Sequence, residues 1–484
     1  MRHLSALDAI FLQLETPDTP MHVGSLMLVE KPKGARGKPG MFRSAVRDHI
    51  AGRMHMAPVF TRKLGFMPLD LANPVWLREE RVDLDYHIRG LTLPKPGTQV
   101  QLDEAVASLH AAMLDRARPL WQFTVIDGLE SGEVGFYAKI HHAALDGQGG
   151  VAVATVLLDT ERTPRATPQS ADVKPPRAPP SVAKMLGAAL RNTVAQYGRI
   201  FKALPTAVKA AGRVGAVALL SSEVKKQGLK LGPRTALNVA IGPGRSFATA
   251  RIPLAEAKAI AKHFEVKLND VVLATCAGAL RRHFAGNKAV LAKAMIGAVP
   301  ASLRAPGDTT QANYVTMMLV GLATHIADPV KRMKAIQAAS VGAKMLTGSM
   351  KNAIPTDMPS LGVPWLMAKI TPLYRKAAAA NRIPVIANVV ISNVPGPQVP
   401  LYLAGAEVKS YYPVSIVTHG LALNITILSY NGSMDYGLVA GKKAMPQLRR
   451  FGGHLLKAHE ELLGLAIPDG GPHLDGVHVR QKRK

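Results

Sequence analysis

Apolar residues along this chain recur with two periods, and the periods take turns. Leu4 to Glu15 carries the spacing of a short helix, and Met21 to Glu30 reads as a strand. Phe42 to Met54 predicts a helix. Asp103 to Asp115 predicts another, with Val106, Leu109, His110 and Met113 on one face. Trp121 to Ile126 then reads as a strand, Asp127-Gly128 as a turn, and Val134 to Ile140 as the returning strand. The three together predict a β-hairpin whose far end runs into His141-His142.

The pattern breaks at Thr163. Prolines at 164, 168, 175, 176, 179 and 180 predict an extended linker. Ser181 to Ser222 follows with six basic residues and no acid. Leu186, Leu190, Val194, Tyr197, Phe201, Leu204 and Val208 lie three or four residues apart in it, and Pro205 divides it into two helices. Such a segment either lies on an anionic membrane or packs its apolar stripe on the body of the protein. The mixed pattern resumes at Arg245. Strands are predicted at Arg245–Ile252, Met295–Val299, Tyr314–Leu322, Val385–Ser392, Tyr411–Val417, Ala422–Tyr430 and Met434–Val439, and helices at Leu254–Phe264, Val271–Phe284 and Pro329–Met345. Asn269 or Asp270 suits the cap of the second of these helices. The class is α/β with layered α+β character. The predicted division is a first lobe at 1–162, a linker with basic helices at 163–240, a second lobe at 241–466 and a basic tail at 467–484.

Length agrees with that division, since 484 residues exceed one ordinary core. Charge adds a partner. Sixty Lys and Arg against 33 Asp and Glu give a net +27, which implies something anionic. Aromatic residues make up only 5%, and no zinc finger or RNP-type motif is present, so nucleic acid is excluded in favour of phospholipid head groups or coenzyme A. The single Cys276 precludes an internal disulfide and fits a reducing compartment. Its apolar helical surroundings make it a core residue rather than a nucleophile. The first residues lack the apolar stretch of a signal peptide, and no run of about 20 uncharged apolar residues appears. A cytoplasmic protein, soluble or peripheral to a membrane, is expected.

The chemistry concentrates in His141-His142-Ala143-Ala144-Leu145-Asp146-Gly147. A histidine leaving a strand is placed to face a cleft and to act as a general base near neutral pH. A metal reading finds too few partners, with no H-E-x-x-H, no paired Cys and no clustered carboxylates. Strand alternation puts His142 with Ile140, Ala138 and Phe136, and His141 with Lys139 and Tyr137. The two histidines thus face opposite ways, which argues for one base and one supporting residue.

These residues resemble the bacterial wax ester synthase/diacylglycerol acyltransferases, within the superfamily of coenzyme A-dependent acyltransferases and condensation domains. The matching segments are Leu7-Asp8, Pro20-Met21-His22-Val23-Gly24, Pro119-Leu120-Trp121, His141 to Gly147, Leu268 to Ala274, Ile391 to Pro397 and Gly420 to Tyr430. They run in the family's order from about residue 4 to about 465. The resemblance implies a two-lobed, chloramphenicol-acetyltransferase-like fold with the active-site tunnel between the lobes.

It also implies transfer of a long acyl chain from acyl-CoA to diacylglycerol or a fatty alcohol, without a cofactor or a metal. His142 is then the general base and His141 its support. Asp146 holds the loop by pairing with an arginine, and Gly147 lets the backbone turn tightly. Asn269 either joins the site from the second lobe or only caps its helix, and Trp121 either packs beneath the site or is plain core. The anionic partner becomes the membrane or lipid-droplet surface beside which such substrates lie. Two other readings stay open: a superfamily member acylating a different lipid or polyketide alcohol, and a catalytically silent lipid-droplet protein.

Overall fold

The computed structural model describes residues 2–4, 6–31, 40–67, 73–145, 149–167, 232–302, 315–351 and 385–467. Asp146 and Gly147, most of the Pro-rich linker, the Ser181–Ser222 segment and all of the tail but Ile467 lie outside the described residues.

Two large mixed sheets organise the chain. The first has the order β5-β6-β7-β2-β14-β13-β8. Its members are β2 (His22–Val29), β5 (Ile88–Thr92), β6 (Trp121–Asp127), β7 (Val134–His141), β8 (Leu158–Asp159), β13 (Tyr402–Leu403) and β14 (Ala406–Val414). The second has the order β11-β10-β12-β15-β16-β9. It comprises β9 (Arg245–Pro253), β10 (Ile296–Ser302), β11 (Val315–Gly321), β12 (Val389–Pro395), β15 (Leu423–Tyr430) and β16 (Ser433–Gly441). A small third sheet joins β1 (Arg2–His3), β4 (Val75–Arg78) and β3 (Arg62–Gly65).

Helices cover the sheets. In the first half these are α1 (Ala6–Leu14), α2 (Met41–Ala51), α3 (Leu84–His87), α4 (Gln99–Ala111) and α5 (Gly149–Leu157). In the second half they are α6 (Leu254–His263), α7 (Leu268–His283), α8 (Lys288–Leu291), α9 (Pro329–Lys351) and α10 (Leu448–Ala466).

Both faces of the first sheet are buried, which accounts for the unbroken burial of β7. One face packs Met27, Trp121, Phe123 and Phe136 against Phe42, Val46 and Ile50 of α2. The other packs Leu26, Tyr137 and Ile126 against Leu102 and Val106 of α4, together with Phe247 of β9 and Val439 of β16. That second core belongs to both halves of the chain. A separate core fills the second lobe, where α7 is buried from Asp270 to Leu280 and Cys276 is fully enclosed.

The predicted division needs two corrections. The predicted second lobe takes in residues 402–414, but in the structure β13 pairs with β8 and β14 with β2, both in the first sheet. Alternating apolar positions predict a strand and do not say which sheet receives it. The second lobe also begins before 241. Leu237 is fully buried in its core, and the Asn238 amide donates to Ala387 O and Gly420 O, both at 2.9 Å.

The helix predicted at Asp103–Asp115 runs from Gln99 to Ala111 instead. Its start is set by a capping box, in which Gln101 N–H donates to Thr98 Oγ1 (3.3 Å) and Thr98 N–H to Gln101 Oε1 (2.7 Å). Among the described residues no helix is long and apolar enough to cross a membrane.

Candidate active site

Three of the sequence segments singled out above are neighbours in space. His22 and His141 are register partners across β2 and β7, and Trp121 pairs with Ile140 across β6 and β7. His141 N–H donates to Leu120 O and His142 N–H to Met21 O, each at 2.9 Å. Residues about 100 positions apart thus fix the end of one strand from both sides.

His141 is the last residue of β7 and is fully buried. Its Nδ1 accepts from Ala143 N–H at 3.1 Å, so the ring proton sits on Nε2. That Nε2–H faces Glu15 Oε1 at 3.3 Å. Glu15 also accepts from Met21 N–H at 3.0 Å through Oε1, and from Arg116 through Oε2 at 2.9 and 3.2 Å. Burial alone would push the Glu15 carboxyl up, but the bonds from His141, Met21 and Arg116 outweigh it and hold it below its usual range. The result is a fixed chain, Arg116–Glu15–His141, that locks the ring's tautomer and orientation.

His142 leaves the strand. It opens a short 3-10 turn, His142–Ala144, that packs beneath α1. Its ring stacks on Phe11 with centroids 3.8 Å apart and planes 19° from parallel. The expected face alternation therefore holds for the row Tyr137, Lys139, His141 and stops there, because the turn swings His142 away from Ile140. Among the described residues Nδ1 of His142 is buried without a hydrogen-bond partner. Burial, and secondarily the adjacent His141, lowers its pKa to about 4, so the ring is neutral at physiological pH. A neutral imidazole is a proton acceptor, and with so low a pKa its conjugate acid gives the proton up readily.

Beside the pair lies a buried polar band that the sequence reading missed. Nζ of Lys139 donates to Leu109 O and Ala112 O, both at 2.8 Å, and His22 Nε2 to His110 O at 2.5 Å. These are the last carbonyls of α4, which a helix cannot satisfy by itself, and the sheet supplies the missing donors. His110 donates from Nε2 to Ser415 O (3.1 Å) and accepts at Nδ1 from Tyr137 Oη–H (2.8 Å). Burial pushes His110 down to about 3 and His22 well below the usual range, and lowers Lys139 to about 8.

Of the other sequence candidates, Trp121 is fully buried. Its Nε1–H donates to Phe60 O at 3.2 Å, and its ring stacks on His87 at 4.2 Å. Asn269 is half-buried in the first turn of α7, whose start is held by Asp270 Oδ2 accepting from Lys267 N–H at 3.1 Å. Cys276 has its thiol pushed far up by burial, as befits a core residue. Among the described residues no group of three His, Cys, Asp or Glu side chains is arranged to hold a metal ion.

Glu15, Arg116 and Phe11 carried no motif signal of their own. Glu15 is an acid ending a predicted helix, and its partners lie 101 and 126 residues away, beyond the reach of local pattern.

Comparison with known proteins identifies the family. The wax ester synthase/diacylglycerol acyltransferase catalytic domain matches residues 4–272, and the C-terminal domain of the same family matches 311–463. A Mycobacterium tuberculosis protein classed by name with the diacylglycerol O-acyltransferases is 36% identical over 96% of this chain and 100% of its own length. A second from that organism is 33% identical over 95% of this chain and 98% of its own.

The solved wax ester synthase/diacylglycerol acyltransferase of Marinobacter aquaeolei VT8 superposes with a TM-score of 0.67 at 27% identity. That match covers 96% of this chain and 99% of that one. The first condensation domain of the CDA synthetase shares the fold at 14% identity, with a TM-score of 0.53 over 96% and 97% of the two chains. Matched along nearly its whole length, this acyltransferase belongs to the wax ester synthase/diacylglycerol acyltransferase family.

Proposed function

We propose that the protein transfers a long acyl chain from acyl-CoA to the hydroxyl of diacylglycerol, of a long-chain alcohol, or of both, with His142 as general base. The observation that supports the reading is the half-buried, neutral His142, whose Nδ1 has no hydrogen-bond partner among the described residues, set beside a His141 whose Nδ1 accepts from Ala143 N–H. His142 takes the hydroxyl proton as the oxygen attacks the thioester carbonyl. The C–O bond forms, the C–S bond breaks, and the imidazolium returns its proton to the departing thiolate to give free coenzyme A. Positioned base catalysis of this kind contributes about 10²–10⁴-fold. No acyl-enzyme is required, because the thioester is already activated. The names carried by the relatives favour diacylglycerol as acceptor.

Asp146 and Gly147 enter the proposal as the residues that hold and turn the loop, and Asn269 as a contact from the second lobe. The acyl chain and acceptor occupy a tunnel between the lobes. The net charge of +27 suits docking on an anionic membrane or lipid-droplet surface, where such substrates are held.

Purified protein given palmitoyl-CoA with diolein or hexadecanol should form triacylglycerol or wax ester, and His142→Ala should abolish it. No ester from either acceptor overturns the reading. Full turnover in His142→Ala would reassign the base. Binding to vesicles rich in anionic phospholipid should exceed binding to zwitterionic vesicles and weaken with salt. Equal binding to both removes the surface role.

A further inference from the structure

Residues 15–21 form the loop between α1 and β2, and this loop grips the catalytic turn. Glu15 faces His141, and Met21 O accepts from His142 N–H at 2.9 Å. The Met21 N–H is itself held by Glu15 at 3.0 Å. Within the loop Thr16 and Thr19 close on each other, through two main-chain bonds of 2.9 and 3.3 Å and an Oγ1···Oγ1 contact of 2.9 Å. Because Thr16 and Thr19 tie the tip to the two ends, a shift at the tip is passed to Glu15 and Met21.

The tip of the loop is held from the second lobe. Arg245, the first residue of β9, is 5% exposed. One guanidinium nitrogen donates to Asp18 O at 2.6 Å. The other donates to Gly242 O, Pro243 O and Gly244 O at 2.7, 3.3 and 3.2 Å. Burying a guanidinium is costly unless its donors are met, and the rigid fork of arginine meets four carbonyls here at once. The cation thereby joins the start of the second lobe's edge strand to the loop that holds the main chain of His142.

We propose that Arg245 is a positioning residue for acyl transfer, setting the place of loop 15–21, and through Met21 the place of His142, from the second lobe. The inference rests on His142 being the base. It makes the catalytic turn register against the second lobe, so that the base is correctly aimed only while the lobes are docked.

The test uses full-length protein, palmitoyl-CoA and the acceptor the wild type uses. Arg245→Gln should lower kcat roughly 10–100-fold, as expected for a misplaced catalytic group. The KM for acyl-CoA should change by less than about threefold, since ground-state binding is untouched. Arg245→Lys, which keeps one charged donor for Asp18 O, should recover part of kcat. Combining Arg245→Gln with Glu15→Gln should cost less than the product of the two single losses, because both act through one loop. Arg282→Gln, which breaks a surface pair with Glu461, should leave kcat unchanged.

Circular dichroism and thermal melting confirm folding. If Arg245→Gln does not fold, the kcat-against-KM split in Arg245→Lys decides. Wild-type kcat in a folded Arg245→Gln, a loss confined to KM, or fully multiplying losses with Glu15→Gln overturns the inference while leaving the acyltransfer reading intact. A wild type inactive on every acceptor overturns that reading instead.

Discussion

The imidazole of His142 lies flat on the ring of Phe11, 3.8 Å away, although Phe11 belongs to a helix 131 residues earlier in the chain. The stack keeps water from one face of the imidazole and so contributes to the burial that depresses its pKa to about 4. Protonation silences a base, so kcat/KM should fall as pH drops through the free-enzyme value, near 4 rather than 6.5. Phe11→Leu admits water and should move this acid limb upward, toward 6.5. The pH profile of kcat/KM for one acceptor measures the change, and an unmoved limb would separate the stack from the tuning.

Glu15 accepts from Met21 N–H and Arg116 and faces His141 Nε2 at 3.3 Å, and its two simplest substitutions should part company. Glu15→Gln keeps an acceptor for Met21 N–H but removes the charge that orients His141, so kcat should fall about tenfold with the fold intact. Glu15→Ala leaves Met21 N–H unmet and Arg116 unpaired. It should also cost roughly 2–3 kcal/mol of stability, less than a fully buried pair would because Arg116 is partly solvated. Urea unfolding beside steady-state kinetics distinguishes the two outcomes.

Asp103 offers a pH test of stability away from the chemistry. Burial raises its carboxyl to about 7, against 3.8 for the free group, while Gln99 Nε2–H donates to it at 2.8 Å. The folded state therefore holds a proton that the unfolded chain releases. That contribution is complete below pH 3.8 and is lost as pH rises through 7. Asp103→Asn keeps the acceptor and drops the titration. It should be more stable than wild type at pH 8, by roughly 1–3 kcal/mol, with the gap closing toward pH 4. Melting temperatures across that range read it directly, and a constant gap would contradict it.

Two glycines predict opposite signs. A Cβ on Gly437 of β16 would collide with Pro413 O of β14, where the two sheets touch, so Gly437→Ala should destabilise by at least about 1–3 kcal/mol. Gly453 lies on the exposed side of α10 with open space around its Cβ position, and Gly453→Ala should stabilise by about 0.5–1 kcal/mol. Guanidinium midpoints for the pair check both.

Much of this was legible in the chain, and the rest was hidden for identifiable reasons. The hairpin ending at His141 followed from apolar runs bracketing Asp127-Gly128, because local chemistry decides a hairpin. The helix Leu448–Ala466 could have been read the same way. Leu448, Phe451, Leu455 and Leu462 recur at helical spacing, yet no element was assigned there. The end of α4 could not be read locally, since its last carbonyls are satisfied by His22 and Lys139 from distant strands. The site was half legible. A histidine pair announces itself, but the acid that fixes one member and the ring that covers the other belong to α1 and the loop after it. Only the folded chain brings them near.

The pairing of β14 with β2, and of β13 with β8, makes the two halves of this polypeptide obligate co-folding partners. A fragment ending near 167 would present two bare rims of unmet N–H and C=O groups, the kind of template on which chains aggregate. Its counterpart would carry the complementary ribbon with nothing to cap. Released from one another, neither half should accumulate as a soluble species. Supplied together, the same two pieces should reassemble without a covalent connection.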